Sequence, residues 1–248
     1  MTERKIYIEI YWNDHDFHIS ESLKKTAIFI SSLFRYYLPK IKTKNTKKIN
    51  IELLRYQIPY ENIYPVDVTN ADIIHVSTLF DFEKFDALSL QEKKELLLQT
   101  VYEQLVLVFE RLQVDTTVLK ETYNHVIRSG FTVYIKLCGP EKLNSSRTIK
   151  AVTILEYFIG YDLLSVVFSD KNDQVIKKIE LFKIIPNCFM YIVKFDKWLD
   201  SEVFQISDPS KRIKFYVNLN GTITSDYNAT DKEDENRLKE LVKMCTIE

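Results

Sequence analysis

Apolar and polar residues alternate from Lys5 to Trp12, with Ile6, Ile8 and Ile10 on one side and Tyr7, Glu9 and Tyr11 on the other. Period-two alternation marks a half-buried strand. Asn13, Asp14, His15 and Asp16 then read as a turn before a short return strand at Phe17, His18 and Ile19. The period changes after Ser20, a predicted N-cap: Leu23, Ala27, Ile30, Phe34 and Tyr37 recur at helical spacing until Pro39 closes the run. Phe29, Leu33 and Tyr36 add a second apolar stripe, which predicts a helix buried on more than one side.

Beyond a polar connection at Lys40 to Lys48, the pattern predicts strands over Ile49–Ile58 and Asp72–Phe80, with Pro59 and Pro65 in the loop between them. Ser89-Leu90-Gln91-Glu92 has the form of a capping box, in which hydroxyl and carboxylate each satisfy an amide at the helix start. Leu97, Val101, Leu105, Val108 and Leu112 continue from it at helical spacing. A second helix is expected from Asp115, carrying Leu119, Tyr123, Val126 and Ile127 to a stop at Gly130. Together these predict a helical hairpin.

From Phe131 onward short strands are predicted over 131–138, 147–158, 161–169, 174–184, 189–196, 202–207, 212–219 and 222–227. The links are short, which favours antiparallel pairing. Asn220-Gly221 is the strongest two-residue hairpin signal. Thr230-Asp231-Lys232-Glu233 has the form of another capping box, and Leu238, Leu241, Val242 and Cys245 form the stripe of a closing helix. The expected fold is therefore α+β: an antiparallel β-meander with a central helical hairpin and a C-terminal helix. Residues 1–130 are expected to form a strand and helix region with the helical hairpin, and 131–248 the meander with its closing helix, either as two domains or as one integrated domain.

Composition narrows the function more than it identifies it. With 248 residues and 46% hydrophobic content, the chain is long enough to bury a true core. Gly130, Gly139, Gly160 and Gly221 are the only glycines, separated by 9, 21 and 61 positions. Dinucleotide fingerprints, P-loops and nucleophile elbows need closely spaced glycines to turn the backbone tightly, so this spacing excludes them. Cys138, Cys188 and Cys245 form no C-x-x-C, which argues against zinc modules and redox dithiols and predicts three separate buried thiols in a reducing compartment. No signal-peptide core and no window of membrane-spanning length is present, so the expectation is a soluble cytoplasmic protein without a membrane partner.

Net charge is −1, yet it is segregated: residues 1–60 carry 11 basic against 6 acidic side chains, and residues 61–130 carry 6 against 12. The two regions either attract one another within the fold or offer oppositely charged faces to a partner.

Candidate chemistry is sparse. Asp14, His15, Asp16 and His18 crowd metal-capable groups into one stretch, but Asn and Asp are favoured in turns for local hydrogen bonds, and a structural role is expected. Lys40, Lys42, Lys44, Lys47 and Lys48, flanked by Arg35, Tyr36, Tyr37, Arg55 and Tyr56, have the makings of a single-strand nucleic-acid contact. The run is nearly all lysine and the total charge is near neutral, so a solvated loop is the expected reading. Asp173, Glu180 and Lys183 fall along one predicted hairpin, but three residues separate Glu180 from Lys183 and set them on opposite faces of a regular strand. Asp231, Glu233, Asp234 and Glu235 complement a helix dipole, and Ser145 and Ser146 lack a nucleophile's setting. No catalytic residue, metal ligand or cofactor is assigned. The 15 Tyr and 15 Phe suit protein interfaces as well as half-exposed strands.

The expected function is a non-enzymatic cytoplasmic protein that binds another protein, as a toxin-neutralising immunity protein or a regulatory subunit would. Two alternatives stay open: a nucleic-acid-binding module using the Lys40 to Lys48 loop, and a divergent metal-dependent hydrolase.

Overall fold

The computed structural model describes residues 2–12, 19–43, 46–55, 66–70, 72–186 and 188–247. The fold is α+β, and the chain divides into two compact units, Met1–Thr132 and Val133–Glu248. The Asp14 to His18 cluster and its predicted return strand lie outside the described residues, apart from Ile19.

The first unit contains β1 (Thr2–Arg4), β2 (Tyr7–Trp12), α1 (Glu21–Tyr37), β3 (Ile41–Thr43), β4 (Lys48–Leu54), β5 (Val66–Asn70), β6 (Ile73–Leu79), α2 (Phe82–Ala87), α3 (Leu90–Arg111) and α4 (Thr117–Arg128). β1 and β3 form a small antiparallel pair. The main sheet runs β2-β4-β6-β5, with β2, β4 and β6 parallel and β5 antiparallel at one edge. Parallel neighbours need a crossover to carry the chain back to the starting edge, and α1 fills that role between β2 and β4. The antiparallel meander thus belongs to the second unit, and the first unit's sheet is mostly parallel.

Each helix start is set locally. Ser20 Oγ accepts the Leu23 amide at 3.2 Å and so caps α1. At the other end, the Lys5 ammonium donates to the carbonyls of Arg35 (3.2 Å), Tyr36 (3.1 Å) and Leu38, which have no helical amide left to bond. The Ser89 box is complete: Glu92 N–H donates to Ser89 Oγ at 3.4 Å and Ser89 N–H donates to Glu92 at 2.8 Å. Ile6, Ile8, Ile10, Ile49, Ile51, Leu53, Ile74 and Val76 are all buried, as are Leu23, Ala27, Ile30, Leu33 and Phe34 of α1. α1 packs on β2 and also on α3 and α4, which is why it carries two apolar stripes.

The second unit contains β7 (Tyr134–Lys136), β8 (Lys142–Leu143), β9 (Ile149–Phe158), β10 (Tyr161–Asp170), β11 (Val175–Ile184), α5 (Phe189–Ile192), β12 (Phe195–Trp198), β13 (Val203–Ser207), β14 (Ile213–Asn218), β15 (Ile223–Tyr227), α6 (Lys232–Cys245) and β16 (Thr246–Ile247). One antiparallel sheet runs β16-β11-β10-β9-β7, with β8 also on β9, and another runs β12-β13-β14-β15. Leu155, Leu164, Val166 and Phe168 of the first sheet share a core with Phe204, Ile206, Phe215 and Val217 of the second, closed by Ile192 of α5 and by Leu238, Val242 and Cys245 of α6. Two sheets packed face to face around interdigitating side chains make a sandwich.

Local chemistry departs from expectation in four places. The apolar run 189–196 does not form one strand: Phe189–Ile192 is a helical turn, and the strand begins at Phe195. A short continuous apolar run has no periodicity to separate strand from helix. The Asn220-Gly221 hairpin forms, but Asn218 N–H donates to Thr222 O at 2.9 Å across three intervening residues, and only Gly221 takes a positive φ, +107°. A two-residue type I′ turn would need positive φ at both central positions. α6 is capped one residue later than predicted, by Asp231, whose carboxylate accepts the Asp234 amide at 2.9 Å, while Thr230 N–H donates to Asp234 at 3.0 Å. Finally, β11 carries two bulges: its pairing with β10 skips Leu181 and Ile176. The bulge at Leu181 sets Glu180 opposite Ser165 and Lys183 opposite Leu163, so these side chains share a face instead of opposing one another.

Candidate functional site

The first unit's sheet has a polar face. Cross-strand register places Glu9, Asn50 and His75 in one row and Tyr11, Glu52 and Ser77 in the next. These groups satisfy one another. Tyr11 Oη and His75 Nδ1 are 3.2 Å apart, and Ser77 Oγ donates to Glu52 Oε2 at 2.8 Å. Burial, reinforced by the Glu52 carboxylate, pushes the Tyr11 hydroxyl up to about 12 and holds it protonated. The Ser77 hydroxyl and the Glu52 carboxylate are thus bonded to one another, and the ladder ties three parallel strands together. Asn50 Oδ1 is the exception, buried without a partner.

At the carboxyl ends of β4 and β6, Arg55, Leu79, Phe80, Asp81, Phe82 and Glu83 line an open cleft of about 550 Å³. Ligands of α/β sheets gather at such strand ends. Here the charged groups have structural uses: Arg55 pairs with Glu83 at 2.5 Å, and Asp81 caps α2 by accepting the Lys84 amide at 2.9 Å.

Two lysines of the run are held in ion pairs. Lys47 pairs with Asp72 at 2.5 Å and Lys48 pairs with Glu9, while Lys40 is exposed, Lys42 lies on β3, and Lys44 falls outside the described residues. The Lys47–Asp72 and Arg55–Glu83 pairs show part of the basic opening meeting acidic side chains of the middle region within one unit. Among the described residues no group of three or more His, Cys, Asp or Glu side chains is arranged to hold a metal ion, and no helix is long and apolar enough to cross a membrane.

The second unit contains a buried polar knot that the sequence did not flag. The Asp196 carboxylate, on a side chain only 4% exposed, pairs with Lys142 and accepts Thr153 Oγ1 at 2.7 Å; Trp198 Nε1 donates to the Lys142 carbonyl at 2.7 Å. Burial, joined by the Asp196 charge, pushes the nearby Cys138 thiol up to about 12, which leaves it unreactive at neutral pH.

A different kind of surface lies where α5, the end of α6 and β16 meet. Ile185 N–H donates to the Cys245 carbonyl at 2.8 Å, α5 packs on α6, and Lys183 pairs with Ile247. Around this junction Ile185, Met190, Tyr191, Met244 and Ile247 are all exposed, Met244 by 63% and Tyr191 by 54%. A strand over 189–196 would have turned alternate residues inward. The helical turn instead buries Ile192 and leaves Met190 and Tyr191 outside, so the sequence reading missed the patch when it missed the turn.

No family model matches the chain, and no curated protein or solved structure matches it either.

Proposed function

We propose that the protein acts by binding another protein through the apolar corner formed by Ile185, Met190, Tyr191, Met244 and Ile247. The observation that carries this reading is the exposure of five large apolar side chains at one junction of the second unit. Leaving such groups in water costs about 25 cal/mol per Å² of apolar surface, a cost recovered when a partner covers them. Methionine and tyrosine suit the purpose: thioethers adapt to irregular surfaces, and tyrosine offers a large contact area with a polar tip. Masking of a partner, as by a toxin-neutralising immunity protein or a regulatory subunit, is the form of binding we propose.

The test is affinity capture from native lysate, with and without nuclease, using the parent and a variant carrying Met190→Lys and Met244→Lys. A stoichiometric protein that survives nuclease and is lost from a folded variant supports the reading. Recovery of nucleic acid alone, or a protein retained equally by the variant, overturns it.

A further inference from the structure

Cys188 and Cys245 stand 57 positions apart in the sequence, yet the fold makes them neighbours: Cys245 belongs to the core of the second unit, Cys188 packs against that core, and α5 lies on α6. The backbone fixes this approach. Cys188 precedes α5 and donates its amide to the Ile185 carbonyl at 2.9 Å, while Ile185 donates its own amide to the carbonyl of Cys245, the last residue of α6, at 2.8 Å. Ile185, just after β11, thereby ties the start of α5 to the end of α6. Cys245 is buried, 3% exposed, and Cys188 is partly exposed. The third cysteine, Cys138, belongs to the Asp196 knot.

We propose that Cys188 and Cys245 form a redox modification site, closed reversibly to an intramolecular disulfide by a low-molecular-weight disulfide such as oxidised glutathione. The difference in exposure sets the order of events. The Cys188 thiolate attacks one sulfur of oxidised glutathione, a bond forms between them, the glutathione S–S bond breaks, and one glutathione thiolate leaves. Cys245 then loses its proton to solvent and attacks the Cys188 sulfur; the bond from Cys188 to glutathione breaks and the second glutathione leaves. Two protein thiols are oxidised and one glutathione disulfide is reduced to two thiols. Burial first, and then the neighbouring Cys188, pushes the Cys245 thiol up to about 11. Its thiolate is scarce at neutral pH, so ring closure accelerates as the pH rises.

The experiment equilibrates the full chain with oxidised glutathione, alkylates the remaining thiols and maps the peptides by mass spectrometry. The expected result is loss of two thiols, one cross-linked peptide pair joining Cys188 to Cys245, and alkylated Cys138, all reversed by reduced glutathione. Cys245→Ala, which removes the resolving thiol, should accumulate the glutathione adduct on Cys188. Three alkylated thiols in the treated parent, a cross-link containing Cys138, or a link between two chains would overturn the proposal. The parent's peptide map decides it even where the alanine variant fails to fold.

Discussion

The Asp196 carboxylate on β12 and the Thr153 hydroxyl on β9 meet at 2.7 Å, joining the two sheets of the second unit through a buried charge. Lys142 completes the arrangement by pairing with the same carboxylate. Removing one partner from such a group strands the others.

Asp196→Ala should therefore destabilise the protein by roughly 1–3 kcal/mol, because the buried Thr153 hydroxyl loses its acceptor, while the Lys142 side chain, 36% exposed, keeps access to water. Urea denaturation of the parent and variant measures this directly. A loss below about 1 kcal/mol would place the pair among ordinary surface ion pairs.

Tyr11 makes a prediction about alkaline pH. Its hydroxyl is held at about 12, above the value of about 10 for an unfolded tyrosine. An acid that keeps its proton longer in the folded state adds stability that is fully present below pH 10 and is lost as pH rises towards 12. The urea midpoint of the parent should fall more steeply across that window than that of Tyr11→Phe. Parallel slopes for the two proteins would refute the assignment.

Gly221 makes a prediction about the β14 to β15 hairpin. Its φ of +107° is open to glycine and strained for other residues, and a Cβ there would meet the Lys177 ammonium at 3.1 Å. The ammonium sits at the end of a flexible side chain and can give way, so the backbone sets the cost. Gly221→Ala should lose roughly 1–2 kcal/mol, read as a lower thermal midpoint with an unchanged far-ultraviolet circular dichroism spectrum.

What could be read from the sequence was what depends on near neighbours. Ser20 and Ser89 announce helix starts because the hydroxyl and the amide it accepts lie three residues apart. The alternation of Ile6, Ile8 and Ile10 shows which face is buried, but not that the neighbouring strand is Ile49–Leu53, reached through a 17-residue helix and running parallel. The bulge at Leu181 reversed the expected faces of Glu180 and Lys183, because one extra residue breaks the two-residue period on which that inference rests. The candidate sites were least legible. The apolar corner depends on a helical turn within an apolar run, and the Cys188–Cys245 approach depends on packing between α5 and α6.

The interrupted pairing of β11 bears on how the second unit can meet other molecules. Along its outer side β16 covers only Lys183 and Ile184. The rest of that side, Val175 to Phe182, has no other strand beside it among the described residues, yet it is poorly suited to template one. Its two bulges break the even spacing of amides and carbonyls, and Lys177 puts a positive charge along it. Natural sheets use the same devices against edge-to-edge aggregation. A strand-like peptide should find no continuous ladder to extend along this margin of β11, which leaves its side chains as the means of contact there.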